Sequence, residues 1–249
     1  MVVDPDRVMP NLRVRSGDVP KRLLVVGDPA RASRISLLLD NSREISHNRE
    51  FVLYGGLWKG QEVGVISHGV GSAGAGVCFE ELCRSGAQRL IRAGTAGGLQ
   101  SDIVDGSLIV VSGAVREEGL TRRLVPLSFP ALATREVVTS LLTSAKTSGI
   151  PVQEGLVVTS DLFYPSGILE NDLELWKRAG VKAVEMECSA LFIISALHGV
   201  ESGAIVATDG NPLNNNDADM TLYNPHRREV DNAINAMIQV GLDALILSV

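Results

Sequence analysis

Cysteine is scarce in this chain of 249 residues: Cys78, Cys83 and Cys188 are all there is, and no two of them are spaced C-x-x-C. An odd count without that spacing argues against a disulfide framework and against a structural zinc site, and predicts reduced thiols in a cytoplasmic protein. Aromatic residues are few (Phe 5, Tyr 3, Trp 2), and 23 basic side chains face 29 acidic ones, a formal net charge of −6. Nucleic-acid binding needs a basic face and usually stacking rings, so that class is set aside. No apolar run approaches the roughly 18 residues of a membrane span. The opening segment MVVDPDRVMPNLRV carries acids and prolines where a secretory leader needs a basic start and an apolar stretch. The histidines (His47, His68, His198, His226) lack metal-ligand spacing, and neither a G-x-S-x-G elbow nor a P-loop is present.

What is present is an ordinary globular composition, 45% hydrophobic and 21% charged. A chain of this size buries about 70 to 75% of the surface its unfolded form exposes. One domain over residues 1–249 is the expectation. Apolar, β-branched runs recur at 22–27, 62–68, 89–94, 107–115, 155–160, 183–186 and 203–209, which suits strands buried on both faces. Between several of them, 72–86, 133–148, 168–179 and 187–199 read as helices, and a closing helix starts with Asn224 as cap and Pro225 in its first turn. FVLYGGLWKGQEVGVISH reads as a hairpin turning at Lys59 and Gly60. The pattern predicts an α/β protein with helices over a mixed, largely parallel sheet. The polar, Asn-rich stretch 210–225 is longer than a typical loop and is either a functional lid or a disordered excursion.

Ligands of open α/β sheets sit beyond the carboxyl ends of the strands. The first strand runs into Gly27-Asp28-Pro29-Ala30-Arg31, which is either an anion cradle at a helix start or an ordinary turn with a surface arginine. Gly69-Val70-Gly71-Ser72-Ala73-Gly74 matches G-x-G-x-x-G and invites a dinucleotide-binding module. The acid that such a unit needs about 20 residues on is missing, because RLIRAGTAGG stands there. Arg92, inside that apolar segment, must find a carboxylate or an anionic ligand, and Thr95 with its flanking glycines makes the neighbourhood look like a phosphate site. Glu185, Met186 and Glu187 stand where a strand turns into an apolar helix. They are either sugar-hydroxyl acceptors or solvated acids favourable to the helix dipole. Asp209, before Gly210-Asn211-Pro212, is either a turn aspartate or a general acid.

GDPAR, SHGVGSAG, IRAGTAGG, TSDLFYP, VEMECSAL and TDG occur in this order over about residues 20 to 210. In this the sequence resembles the purine nucleoside and uridine phosphorylases of the hexameric type. SHGVGSAG followed by CFEELC, and DGNP, look most like the apicomplexan purine nucleoside phosphorylases. The resemblance implies a three-layer α/β/α fold with a mixed, partly barrel-like central sheet, assembled as a homohexamer (a trimer of dimers) with sites shared between subunits. It implies reversible phosphorolysis of purine ribonucleosides, inosine or guanosine, with inorganic phosphate as co-substrate and no metal or organic cofactor. It assigns phosphate to Gly27, Arg31, Arg92 and Thr95, and to Arg49 reaching a neighbouring subunit's site. The nucleoside falls to Phe163, Glu185, Met186, Glu187 and Asp209, the last also catalytic. Where relatives carry a histidine near the ribose 5′ hydroxyl, this chain has Asn11. Bacterial relatives pair the aspartate with an arginine on a downstream helix; here only Arg227 and Arg228 are near. The Gln and Arg pair with which uridine phosphorylases read uracil is absent from SGILENDLELW, which favours purines. The rivals are a uridine phosphorylase or nucleoside hydrolase of the same fold, and a dinucleotide-binding module.

Overall fold

The computed structural model describes residues 7–164, 166, 168–169, 172–213 and 227–247. The chain opens with β1 (Arg22–Val26), α1 (Pro29–Ser36), β2 (Asp40–Asn48), β3 (Phe51–Trp58) and β4 (Gln61–Ser67). It continues through α2 (Ser72–Arg84), β5 (Arg89–Gly98), β6 (Leu108–Glu117), α3 (Thr121–Leu124) and β7 (Ala131–Leu132). The last third holds α4 (Arg135–Thr147), β8 (Gln153–Ser160), α5 (Leu173–Arg178), β9 (Ala183–Glu185), α6 (Cys188–His198), β10 (Glu201–Gly210) and α7 (Arg228–Ile246).

All ten strands join one sheet in the order β10-β6-β8-β9-β5-β1-β4-β3-β2, with β7 on β6 and a further ladder between β10 and β5. That ladder closes β5, β10, β6, β8 and β9 into a ring, while β1, β4, β3 and β2 run on as an open sheet. Both parallel and antiparallel ladders occur, so the expected mixed, partly barrel-like sheet is what forms. One face buries Phe79, Leu82, Leu191, Phe192 and Ile193 from α2 and α6 against Leu23, Val25 and Leu90. The other packs Ile35, Leu141, Met237 and Leu245 from α1, α4 and α7 against Leu24, Ile91 and Ile205. Alternation along β1 and β5 therefore feeds two cores, which gives the three layers and explains why these strands read as unbroken apolar runs.

Three elements depart from the sequence reading. β2 is an exposed edge strand without an apolar pattern, held by its ladder to β3, so periodicity gave no sign of it. α5 begins at Leu173 rather than at 168, and β5 continues to Gly98, past the apolar run expected to end at 94. The expected cap Asn224, Pro225 and most of the 210–225 stretch lie outside the described residues. Among the described residues no helix is long and apolar enough to cross a membrane.

The segment before β1 is tied down by a buried acid. Met9, Leu12 and Val14 join the α2 core, and Glu81 accepts from the Asn11 and Leu12 amides (3.1 and 2.7 Å) and from Asn11 Nδ2 (2.7 Å). Glu81→Ala strands these donors, and an unsatisfied buried donor costs about 1–3 kcal/mol. The expected outcome is a loss of about 2–3 kcal/mol in urea unfolding, with hydrogen-exchange protection vanishing first at Asn11 and Leu12. Unchanged protection there contradicts the assignment.

Candidate active site

The strand pairing makes the opening. β10 lies along β5 from Arg89 to Gly97, so β1 and β9 must share the other edge of β5. β1 leaves it at Val25↔Arg92, and β9 joins only at Gly97↔Val184. Residues 93–96 are left facing a gap where open sheet and ring diverge. A cavity of about 660 Å³ fills that gap, a size suited to a small-molecule ligand.

Gly27, Arg31, Arg92 and Thr95 line it together with Phe163, Glu185, Met186, Glu187 and Asp209. Arg49 does not: it is exposed, in the turn between β2 and β3, with φ +55°. Asn11 is held by Glu81, and Arg228 is exposed at the start of α7. Glu50 is a lining residue that sequence reasoning passed over, since a lone acid in a turn carries no motif.

Arg92 is the centre of the site's electrostatics. It is 4% exposed, and its Nε donates to Glu185 Oε2 (3.2 Å), its Nη2 to Glu187 Oε2 (2.5 Å) and its Nη1 to His68 Nε2 (3.1 Å). The buried strand arginine has thus found carboxylates and still faces the cavity. A guanidinium carries more N–H donors than nitrogens, so donors remain for a ligand. Burial works against its charge, but Glu187 and then Glu185 outweigh it and hold its pKa above the ordinary value. The Glu187 carboxyl is itself pushed up by burial, against the pull of Arg92. Arg31, on the first turns of α1, makes no ion pair among the described residues. Its pKa is lowered by burial and then by the charge of Arg92. Two cations that face one cavity and repel each other mark it as a candidate anion site.

The glycine-rich turn has a different use from the one its pattern suggests. Gly71, at φ +88°, caps α2 and aims its amide at Glu187 Oε1 (2.6 Å), and Ser72 Oγ donates to the Met186 carbonyl (2.7 Å). An internal carboxylate occupies the helix end where a dinucleotide would set its pyrophosphate, which removes the dinucleotide-binding module. Glu185 is saturated: it accepts from Thr159 Oγ1 (2.6 Å), the Glu187 and Cys188 amides (2.8 and 3.0 Å) and Arg92.

Asp209 sits where the β10 register slips, Thr208 pairing with Ala96 and Gly210 with Gly97. This bulge gives one extra residue and turns its side chain toward the cavity. Arg227 Nη2 holds the Asp209 carbonyl (2.8 Å) while its Nη1 reaches Asp105 Oδ2 (2.5 Å). Phe163 is half-exposed on the rim, edge-on to Tyr164 at 5.1 Å between centroids.

Gly94 is what allows the guanidinium to lie where it does. A Cβ there would come within 2.7 Å of Arg92 Cζ and Nη2. Gly94→Ala is therefore expected to push Arg92 off Glu187 and His68, costing about 3 kcal/mol because a buried ion pair is broken. Denaturant unfolding and a structure of the variant check this; an unmoved guanidinium with wild-type stability contradicts it.

The phosphorylase superfamily model matches residues 21–246. The purine nucleoside phosphorylase of Plasmodium falciparum is 37% identical over 242 residues, covering 96% of each chain. The uridine phosphorylase of Haemophilus influenzae is 36% identical over 194 residues, covering 73% of this chain and 77% of its own. Among solved structures, the purine nucleoside phosphorylase of Toxoplasma gondii in complex with immucillin-H superposes with a TM-score of 0.92 at 33% identity, covering 98% of this chain and 97% of that one. The cavity-lining arginines, the Glu185–Glu187 carboxylates and these likenesses agree, and the chain belongs to the phosphorylase superfamily.

Proposed function

We propose that the protein is a purine nucleoside phosphorylase, which converts a purine ribonucleoside such as inosine or guanosine and inorganic phosphate reversibly into ribose 1-phosphate and free base. The observation that carries this is Arg31: a half-buried guanidinium without an ion pair among the described residues, opposed by Arg92 across a cavity that also holds Glu187. A nucleoside hydrolase, activating water alone, has no use for a desolvated cation there. The purine relative covers nearly the whole chain and the uridine relative about three quarters, which supports the purine reading.

Phosphate lies against Gly27, Arg31, Arg92 and Thr95. Glu187 Oε1 and Oε2 each accept one protein hydrogen bond, and each has a lone pair left for the ribose 2′ and 3′ hydroxyls. Met186 packs on the sugar, Phe163 on the base, and the saturated Glu185 holds Arg92 and the turn into α6 in position. A phosphate oxygen bonds C1′ as the C1′–N9 bond breaks and its electron pair leaves with the base. The sugar passes through an oxocarbenium-like state, which the phosphate charge stabilises. Asp209, protonated in the complex, gives its proton to N7. The equation balances without a metal or organic cofactor.

One chain is short of positive charge for this task. The cavity lining sets Arg31 and Arg92 against Asp28, Glu50, Glu185, Glu187 and Asp209. Arg49, exposed on its turn, supplies the missing cation to a neighbouring subunit in a hexamer built from dimers. The free cysteines, two of them buried, suit the reducing cytoplasm.

Base release from a nucleoside panel, with and without phosphate, tests the reaction; phosphate-independent release sinks it. Asp209→Asn is expected to slow inosine phosphorolysis by about 10² to 10⁴. The variant keeps most activity on 7-methylguanosine, whose base already carries a positive charge before cleavage and leaves neutral without a proton; equal losses on both substrates, with the melting temperature retained, remove the general-acid role. Arg49→Ala subunits mixed with Asp209→Asn subunits are expected to regain activity after subunit exchange, since some sites then combine an intact Asp209 with an intact neighbouring Arg49. Absence of any recovery excludes the shared site.

A further inference from the structure

The remaining guanidinium nitrogen of Arg92, the one bonded to neither carboxylate, meets a buried histidine that the proposed reaction does not use. His68 follows β4 directly, is 0% exposed, and is fixed at both ring nitrogens. Nδ1 is 2.8 Å from the Gly69 carbonyl, which can only accept, so Nδ1 carries the proton. Nε2 is then a bare acceptor, 3.1 Å from Arg92 Nη1. Phe79 of α2 meets the ring edge-on at 5.2 Å between centroids, and the His68 amide is bonded to the Val26 carbonyl (2.8 Å), so neither ring nor backbone can swing away.

We propose that His68 is a positioning residue for phosphate: as a neutral third acceptor it fixes the plane of the Arg92 guanidinium and leaves that group's charge available to the anion. Glu185 and Glu187 hold two corners of the guanidinium, and on their own they would leave it free to pivot toward the acids. A third carboxylate would stop the pivot but add negative charge where an anion must bind. An imidazole stops it at no cost in charge. The groups facing the ring agree: Arg92 on β5 and Arg31 on α1 are cations, and Glu187 is taken up by Arg92. Burial first, then Arg92, push the His68 pKa well below 6.5, so the acceptor form persists.

This rests on the phosphorylase reading, and the experiment separates the two. His68→Asn keeps a donor near the Nδ1 position and loses the acceptor; His68→Gln can return an acceptor near the Nε2 position. Phosphate and nucleoside KM are measured separately for wild type and both variants. His68→Asn is expected to raise the phosphate KM about tenfold, with nucleoside KM changed less than about twofold, and His68→Gln to recover most of the loss. A wild type whose base release ignores phosphate overturns both readings. A phosphate-dependent wild type with an unchanged phosphate KM in His68→Asn, or with both KM values raised alike, overturns only the role of His68.

The neutral state has its own readout. Below about pH 6.5 the unfolded chain binds a proton at His68 that the folded chain refuses until far lower pH, so the folded state loses stability as pH falls through that window. The stability difference between wild type and His68→Gln is therefore expected to shift in the variant's favour from pH 7 to pH 5. A parallel pair of stability curves would mean that His68 takes up a proton as readily in the fold as in the unfolded chain, and would overturn the acceptor assignment.

Discussion

A single buried guanidinium sets terms that the rest of the molecule has to meet. Taking an ion out of water costs several kcal/mol even after relaxation. Arg92 recovers this only because β4, β5 and the turn between β9 and α6 converge on it. Two carboxylates around one arginine leave a surplus of negative charge. That surplus is taken up by backbone amides: Gly71 at the head of α2 for Glu187, and those of Glu187 and Cys188 at the head of α6 for Glu185. Helix N-termini carry partial positive charge, so two helices complete what one arginine begins. The small residues of the two glycine-rich motifs follow from the same demand. Gly94 leaves room for the guanidinium, and Gly71 supplies a backbone angle that turns an amide toward its partner.

The sheet serves this cluster by dividing. Were β1 to run alongside β5 to its end, residues 93–96 would be paired and no gap would exist. Instead β1 turns into α1 at Gly27, and β9 arrives antiparallel from the other direction. Closing β5 through β10, β6 and β8 back to β9 holds that divergence open against collapse, with β10 bonded along the far edge of β5. A buried ion cluster fixes orientation more than it adds stability. Here orientation is what the gap needs, since both carboxylates and the arginine line it from one wall.

Strand ends were the legible part of the sequence. Gly27, Arg31, Arg92, Thr95, the Glu185–Glu187 segment and Asp209 stand at the ends of apolar runs, and the fold brings all of them to one cavity. Less legible was what local pattern does not encode. β2 is polar and held by pairing alone, and the bulge that turns Asp209 inward is a property of two strands rather than of one. The G-x-G-x-x-G run has the shape of a phosphate loop, but its partner is a carboxylate more than a hundred residues away in sequence. His68 carried no metal spacing and so had no stated role; its ring matters because of Arg92, a contact across 24 positions. Arg49 stands apart from the cavity of its own chain, and its proposed target lies in a neighbouring subunit.

The proposed base end of the cavity differs in kind from the proposed phosphate end. Leu162, Phe163, Leu173, Val184 and Pro212 make it apolar. Gly97 lets Pro212 close down on it, for a Cβ there would meet Pro212 Cδ at 2.8 Å. Asn211 is partly committed, its Oδ1 accepting from the Leu213 amide at 2.9 Å. In the proposed reading, polar recognition of the base by the described residues falls mainly to Asp209, whose backbone Arg227 anchors. A carboxyl group within an apolar wall recognises one edge atom of a flat ring and leaves the remaining edge to shape. A pocket that hydrogen-bonds many substituents rejects analogues by stranding its own polar groups, whereas an apolar one discriminates by only about 1–3 kcal/mol per group. The proposed purine specificity of this site is therefore of the second kind: sharp at N7, where a proton must be delivered, and permissive at the other ring positions.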